Sequence, residues 1–252
     1  MKNPVCYIRS MQRIIALFDI DGTLLRAGGA GRRAVELALS EVLEELAAEL
    51  EEEVSLHSVE FAGRTDPWIV RAALMQYGVM ADDGLVHEVI RRYVAHLPRE
   101  LERADSFEVL PGVLSLLCEL SGRDDLVLGL GTGNTEPAAY AKLARGGLDS
   151  FFAFGGFGSD HAERPEVLRT ALHRGLEESG AEREDARVVV IGDTPHDVAA
   201  AKAIGAHSVA VSTGGYEASA LRAAGASVVV SDLRASEVRS AFDPRARAIL
   251  RR

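Results

Sequence analysis

The stretch Arg13-Ile14-Ile15-Ala16-Leu17-Phe18-Asp19-Ile20-Asp21-Gly22-Thr23 decides the fold. Arg13 to Ile20 is a short apolar run with β-branched residues, closed by the turn-former Gly22. Such a run reads as a buried strand. Two carboxylates, Asp19 and Asp21, close this run, two residues apart. Along an extended chain that spacing points both side chains the same way. Like charges held close resist ionisation unless a cation neutralises them. A divalent metal answers this, and hard carboxylate oxygens suit Mg²⁺. The structural alternative is an Asx-turn with Gly22 as its pivot.

Downstream, a Gly-rich turn at residues 28–31 opens a helical stretch. One helix is expected over residues 32–53. A second starts near Thr65 or Asp66, with Pro67 in its first turn, and stops at Gly78. A third covers residues 83–103. No strand pattern interrupts them, so residues 27–105 read as an all-helical insert. After it, strands and helices alternate. Strands are expected at 126–130, within Phe151-Phe152-Ala153-Phe154-Gly155-Gly156, at 187–191, 208–211 and 227–230. Alternation of this kind implies a parallel sheet covered on both faces. The expected architecture is therefore a doubly wound, Rossmann-like α/β core, residues 1–26 and 106–252, carrying a helical insert after its first strand.

Composition narrows the function classes. The 252 residues carry 28 basic and 38 acidic side chains, a formal net charge of −10. That balance argues against nucleic acid, whose affinity comes mostly from Lys and Arg. Part of the excess lies in residues 36–53, where Leu and Val recur at helical spacing, as on a solvated helix face. No apolar run reaches the roughly 20 residues of a membrane span. The two cysteines, Cys6 and Cys118, lack metal-ligand spacing and predict a reducing, cytoplasmic compartment. The first residues do not read as a signal peptide, and Met11 reads as an alternative start.

In open α/β sheets ligands bind beyond the carboxyl ends of the strands. Three such ends carry unusual polar residues. The first holds Asp19 and Asp21. The second is Gly131-Thr132-Gly133-Asn134, where glycines let the backbone approach a ligand and a following helix offers N–H groups to an anion. The third is Gly192-Asp193-Thr194-Pro195-His196-Asp197, again with two carboxylates. Charges there need partners or a metal. Arg164 stands at a helix start between the second and third ends.

These four segments resemble, in order, the motifs of the haloacid dehalogenase superfamily, and the helical insert is similar to its first-position cap. The resemblance spans the chain and implies a phosphatase. It implies Asp19 as the nucleophile and Asp21 as the acid/base. It implies Thr132, Gly22, Gly133 and Asn134 around the phosphoryl group, and Arg164 in place of the commoner Lys. Mg²⁺ would be held by Asp19, Asp21 through its carbonyl, Asp193 and Asp197. Dehalogenases and phosphonatases of the superfamily lack an Asp at the second position, so Asp21 implies phosphate esters. Gly63-Arg64-Thr65-Asp66 resembles a stretch of phosphoglycolate phosphatase-like members, with Arg64 as a substrate-binding candidate. The implied substrate is a small phosphorylated metabolite. A phosphomutase of the β-phosphoglucomutase type, or a non-catalytic binding module on the same fold, are the alternatives.

Overall fold

A computed structural model describes residues 12–46 and 54–243. Met11, Cys6 and residues 47–53, the end of the first expected insert helix, lie outside these. Strand β1 (Arg13–Phe18) forms where the apolar run predicts. Ile14, Ala16 and Phe18 join one apolar cluster, and Ile15 and Leu17 join another. Both faces of β1 are buried, which is why the strand reads as unbroken rather than alternating.

The chain then runs β2 (Leu25–Ala27), α1 (Ala30–Glu45), α2 (Asp66–Gln76), α3 (Asp83–Glu102) and β3 (Phe107–Val109). There follow α4 (Val113–Ser121), β4 (Leu126–Gly131), α5 (Glu136–Arg145), β5 (Phe154–Gly156) and α6 (Arg164–Ser179). The last part holds β6 (Ala186–Gly192), α7 (Pro195–Ala203), β7 (His207–Val211), α8 (Ala218–Ala223), β8 (Val228–Val230) and α9 (Ser236–Ala241). Six strands form one parallel sheet in the order β5-β4-β1-β6-β7-β8. Strand β1 lies in the middle, between β4 and β6. No helix among the described residues is long and apolar enough to cross a membrane.

Two features differ from the sequence expectation. Strands β2 and β3 form an antiparallel ribbon at the two crossings into the helical insert. Each is three residues long, too short for a period-2 signal, and Arg26 at the centre of β2 is exposed. Helix α1 begins at Ala30 instead of residue 32, inside the Gly-rich turn, because Gly29 at φ 77° supplies the left-handed bend before it.

The apolar residues of the insert are continuous with those of the α/β core. Val35 and Leu39 of α1, and Val89, Tyr93 and Leu97 of α3, belong to the same apolar cluster as Ile14 and Phe18. The acidic face of α1 is answered across the helix pair. Arg92 of α3 donates to Glu45 at 2.7 Å, and His96 lies 2.9 Å from Glu41.

Candidate active site

Register builds the site. Phe18 pairs with Leu130 on one side and Ile191 on the other. Asp19 follows Phe18, while Thr132 and Asp193 lie two residues past its partners. Three carboxyl ends thus meet at one level, in the crevice beside the central strand. The Asp19 amide donates to the Ile191 carbonyl at 2.9 Å, and that of Thr132 to Gly156 at 3.0 Å.

Asp19, Asp193 and Asp197 are buried, with carboxylate oxygens within 4.8 Å of one another. Arg164 is buried among them. Its Nη2 donates to Asp19 Oδ1 at 2.5 Å and to Asp197 Oδ1 at 2.6 Å, and its Nε donates to Asp197 at 3.1 Å. An arginine partner ordinarily lowers a carboxylate's pKa. Here burial, with the charges of Asp197 and Asp21, outweighs Arg164 and raises Asp19 to about 6. Burial, then Asp19 and Asp197, push Asp193 up to about 9. Three carboxylates face a single guanidinium, and burial with their mutual repulsion resists ionisation of all three together. A divalent cation with a preference for oxygen donors, such as Mg²⁺, fits that donor set.

The surrounding chain is shaped to hold these groups. A Cβ on Gly22 would stand 2.4 Å from Asp193 Oδ2, and one on Gly214 would stand 1.7 Å from it. Gly22 also takes φ 80°, where a side chain is strained. Thr23 donates to Asp193 Oδ1 at 3.2 Å. Asp197 and Thr194 form a capping box at the start of α7. Asp197 therefore serves the helix and the site together.

Asp21 turns to different partners. Its Oδ2 accepts from Lys142 Nζ at 2.6 Å and from Asn134 Nδ2 at 2.8 Å. Asn134 Nδ2 also donates to Thr132 Oγ1 at 2.8 Å. Lys142, on α5, lies outside the four motif segments. Lysine at a helix position normally signals solvent, but Lys142 shares a helical stripe with the buried Ala138, Ala139 and Leu143.

The Gly63–Asp66 segment seats the insert on the core. The Asp66 amide donates to the Gly133 carbonyl at 2.8 Å. Asp66 Oδ2 accepts from the Thr135 amide at 2.7 Å and its hydroxyl at 3.2 Å. Thr65 caps α2 and donates to the Ala162 carbonyl at 3.0 Å. A Cβ on Gly133 would stand 2.1 Å from the Arg64 carbonyl oxygen. Burial raises Asp66 to about 6. Arg64 borders the cavity, but its guanidinium pairs with Glu60 at 2.6 and 3.0 Å and lies 4.3 Å from the Trp68 ring centre. His161 is exposed and His196 half-buried beneath Gly63.

Between insert and core lies a cavity of about 400 Å³, bordered by Asp19, Asp21, Thr132, Arg164 and Asp193 on one side and by Val35, Phe61, Ile69 and Tyr93 on the other. A small ligand would meet polar groups at the strand ends and, opposite, these apolar groups together with Arg32, Arg64 and Asp66 of the insert.

The haloacid dehalogenase-like hydrolase family matches residues 15–205 of this chain. A phosphoglycolate phosphatase from Rhodospirillum rubrum is 34% identical over 225 residues, covering 86% of each chain. Among solved structures, a predicted phosphatase from Clostridium acetobutylicum superposes with a TM-score of 0.64 at 20% identity, over 92% of this chain and 98% of its own. A protein from Bacteroides vulgatus assigned as a β-phosphoglucomutase reaches 0.59 at 21% identity, over 93% and 92%. At such identities the solved structures speak for the fold alone. The family match and the curated relative go further: the chain belongs to the haloacid dehalogenase-like hydrolases and is a phosphoric monoester hydrolase.

Proposed function

We propose that the chain hydrolyses a small phosphate monoester, with Mg²⁺, through a phosphoryl group carried on Asp19. The observation that carries this reading is the buried Asp19, Asp193, Asp197 cluster with Arg164 inside it, at the end of the central strand.

An Asp19 oxygen attacks phosphorus, and the ester P–O bond breaks. Asp21 gives its proton to the departing oxygen, which leaves as an alcohol. Water then attacks the phosphoryl group and yields a proton to Asp21. The Asp19–phosphorus bond breaks, releasing inorganic phosphate and restoring the carboxylate. Arg164 holds Asp19 in place and offers its fork to phosphoryl oxygens. Thr132, Gly133, Asn134 and Gly22 frame the phosphoryl site. Asp19, the Asp21 carbonyl, Asp193 and Asp197 would hold Mg²⁺, which supplies charge neutralisation at the transferring group.

Residues 27–105 act as a cap over a core of residues 1–26 and 106–252, swinging about the β2–β3 ribbon to admit substrate. Phosphoglycolate, named for the relative from Rhodospirillum rubrum, or a similar short ester is the first substrate to try, with Arg64 released from Glu60 to meet it. Cys118, an exposed free thiol, suits a reducing compartment such as the cytoplasm.

A phosphate-release screen over phosphorylated metabolites, with Mg²⁺ and with chelator, tests the reading. Metal-dependent release without a bisphosphate activator supports hydrolysis. A strict need for such an activator indicates a mutase instead. No turnover of any ester, p-nitrophenyl phosphate included, defeats the reading.

A further inference from the structure

Lys142 is only 5% exposed. A buried ammonium needs partners, and it has two, Asp21 Oδ2 and Asn134 Oδ1, each at 2.6 Å. Asn134 closes the set by donating to the same Asp21 oxygen and to Thr132. One oxygen of Asp21 therefore accepts from two donors. Its other oxygen, Oδ1, has no hydrogen-bond partner among the described residues, and the Asp21 side chain is 45% exposed at the cavity. A carboxyl in its acid form carries the proton on one oxygen. Oδ2 faces two N–H donors, so the proton belongs on Oδ1. Gly31, at the start of α1, lies over the ammonium: a Cβ there would stand 3.6 Å from Nζ.

We propose that Lys142, together with Asn134, is a positioning residue that fixes Asp21 by one oxygen and reserves the other for the leaving group. The inference rests on Asp21 being the acid of the proposed reaction. As the ester P–O bond breaks, its electron pair goes to the leaving oxygen, which takes the proton from Asp21 Oδ1. Lys142 does not bond Oδ1 itself and acts through Asp21 Oδ2 and through Asn134 Oδ1. Asn134 links the same carboxylate to the Thr132 loop, so acid and phosphoryl site share one hydrogen-bonded frame.

A leaving-group comparison on the full chain with Mg²⁺ tests this. p-Nitrophenyl phosphate expels a stable anion that needs little protonation, whereas glycerol phosphate expels an alkoxide that needs it. Lys142→Met, which keeps the buried stem, is expected to lower kcat/KM on glycerol phosphate by roughly 100-fold. On p-nitrophenyl phosphate the loss stays under about tenfold. In an Asp21→Asn background the same substitution adds no further selective loss. Equal losses on both esters, or none, overturn the proposal and leave the phosphatase reading intact. Wild-type protein inactive on both esters overturns that reading itself. Crystals of the wild type with Mg²⁺ and orthovanadate give a readout independent of variant folding. Nζ remaining on Asp21 and Asn134 supports the proposal, and Nζ moved onto vanadate oxygens overturns it.

Discussion

Arg164 Nη2 sits 2.5 Å from Asp19 Oδ1 while also reaching Asp197 Oδ1 at 2.6 Å, so one guanidinium nitrogen ties the first and last strand-end carboxylates together. Removing it leaves two buried carboxylates without a cation. Arg164→Met is expected to destabilise the fold by roughly 3–5 kcal/mol in a denaturant titration. It is also expected to remove phosphatase activity. Arg164→Lys keeps the charge but loses the planar fork, and should retain measurable turnover with a weaker KM. Full activity in Arg164→Met contradicts the role given to this side chain.

Asp193 links metal and stability. Its folded-state value, about 9, lies above the ordinary 3.8. Metal-free protein thus holds a proton there that the unfolded chain has released, and its stability falls as pH rises between those values. Asp193→Asn should therefore raise the melting temperature of metal-free protein at pH 8. Mg²⁺ at 100 times its Kd should stabilise wild type by about 2.7 kcal/mol, and the variant far less. Calorimetric melts with and without Mg²⁺ read both effects. An unaltered Mg²⁺ response in the variant speaks against Asp193 as a ligand.

The insert is seated by close backbone approach at Gly133. Gly133→Ala forces a methyl group to within 2.1 Å of the Arg64 carbonyl, so the Asp66–Gly133 hydrogen bond cannot form as it stands. KM is expected to rise at least tenfold, by about 1.4 kcal/mol of binding, with the α/β core still folded by circular dichroism. An unchanged KM means that this seated arrangement is not the one that turns over.

Asp66 gives the same contact a pH signature. Its folded value of about 6 exceeds 3.8, so its contribution to stability is greatest at acid pH and is lost as pH rises through that window. Asp66→Asn, which keeps an acceptor for Thr135, should flatten the stability profile between pH 4 and 6 relative to wild type. The difference is expected to reach up to roughly 3 kcal/mol. Parallel profiles for the two proteins refute the assignment.

The sequence exposed those parts of the site that are local. Asp19, Thr132, Asp193 and Asp197 each lie one to five residues past the last residue of a strand, and a strand end beside a turn is a short-range pattern. Arg164 was legible only by its place between motifs. Lys142 falls in no motif, and Asp66 reads as a helix start rather than as a buried partner of Thr135, because charge on a helix ordinarily means solvent. Their spacing did hold a signal: Asp66 shares a stripe with Ile69, Val70 and Ala73, as Lys142 does with Ala138 and Ala139. A charge on an apolar stripe asks for a buried partner. The β2–β3 ribbon left no comparable trace, since three-residue strands are too short for a period-2 signal.

The nucleophile can be located directly. Asp21→Asn should slow breakdown of the phosphoenzyme, so acid-quenching it with substrate and Mg²⁺ traps the acyl phosphate. Borohydride reduction converts the modified aspartate to homoserine, and tryptic peptide 14–26 carries the position. Homoserine at position 19, absent from an Asp19→Asn control that also shows no turnover, is the expected result. Turnover by Asp19→Asn near the wild-type rate, or trapped phosphate on another residue, contradicts it.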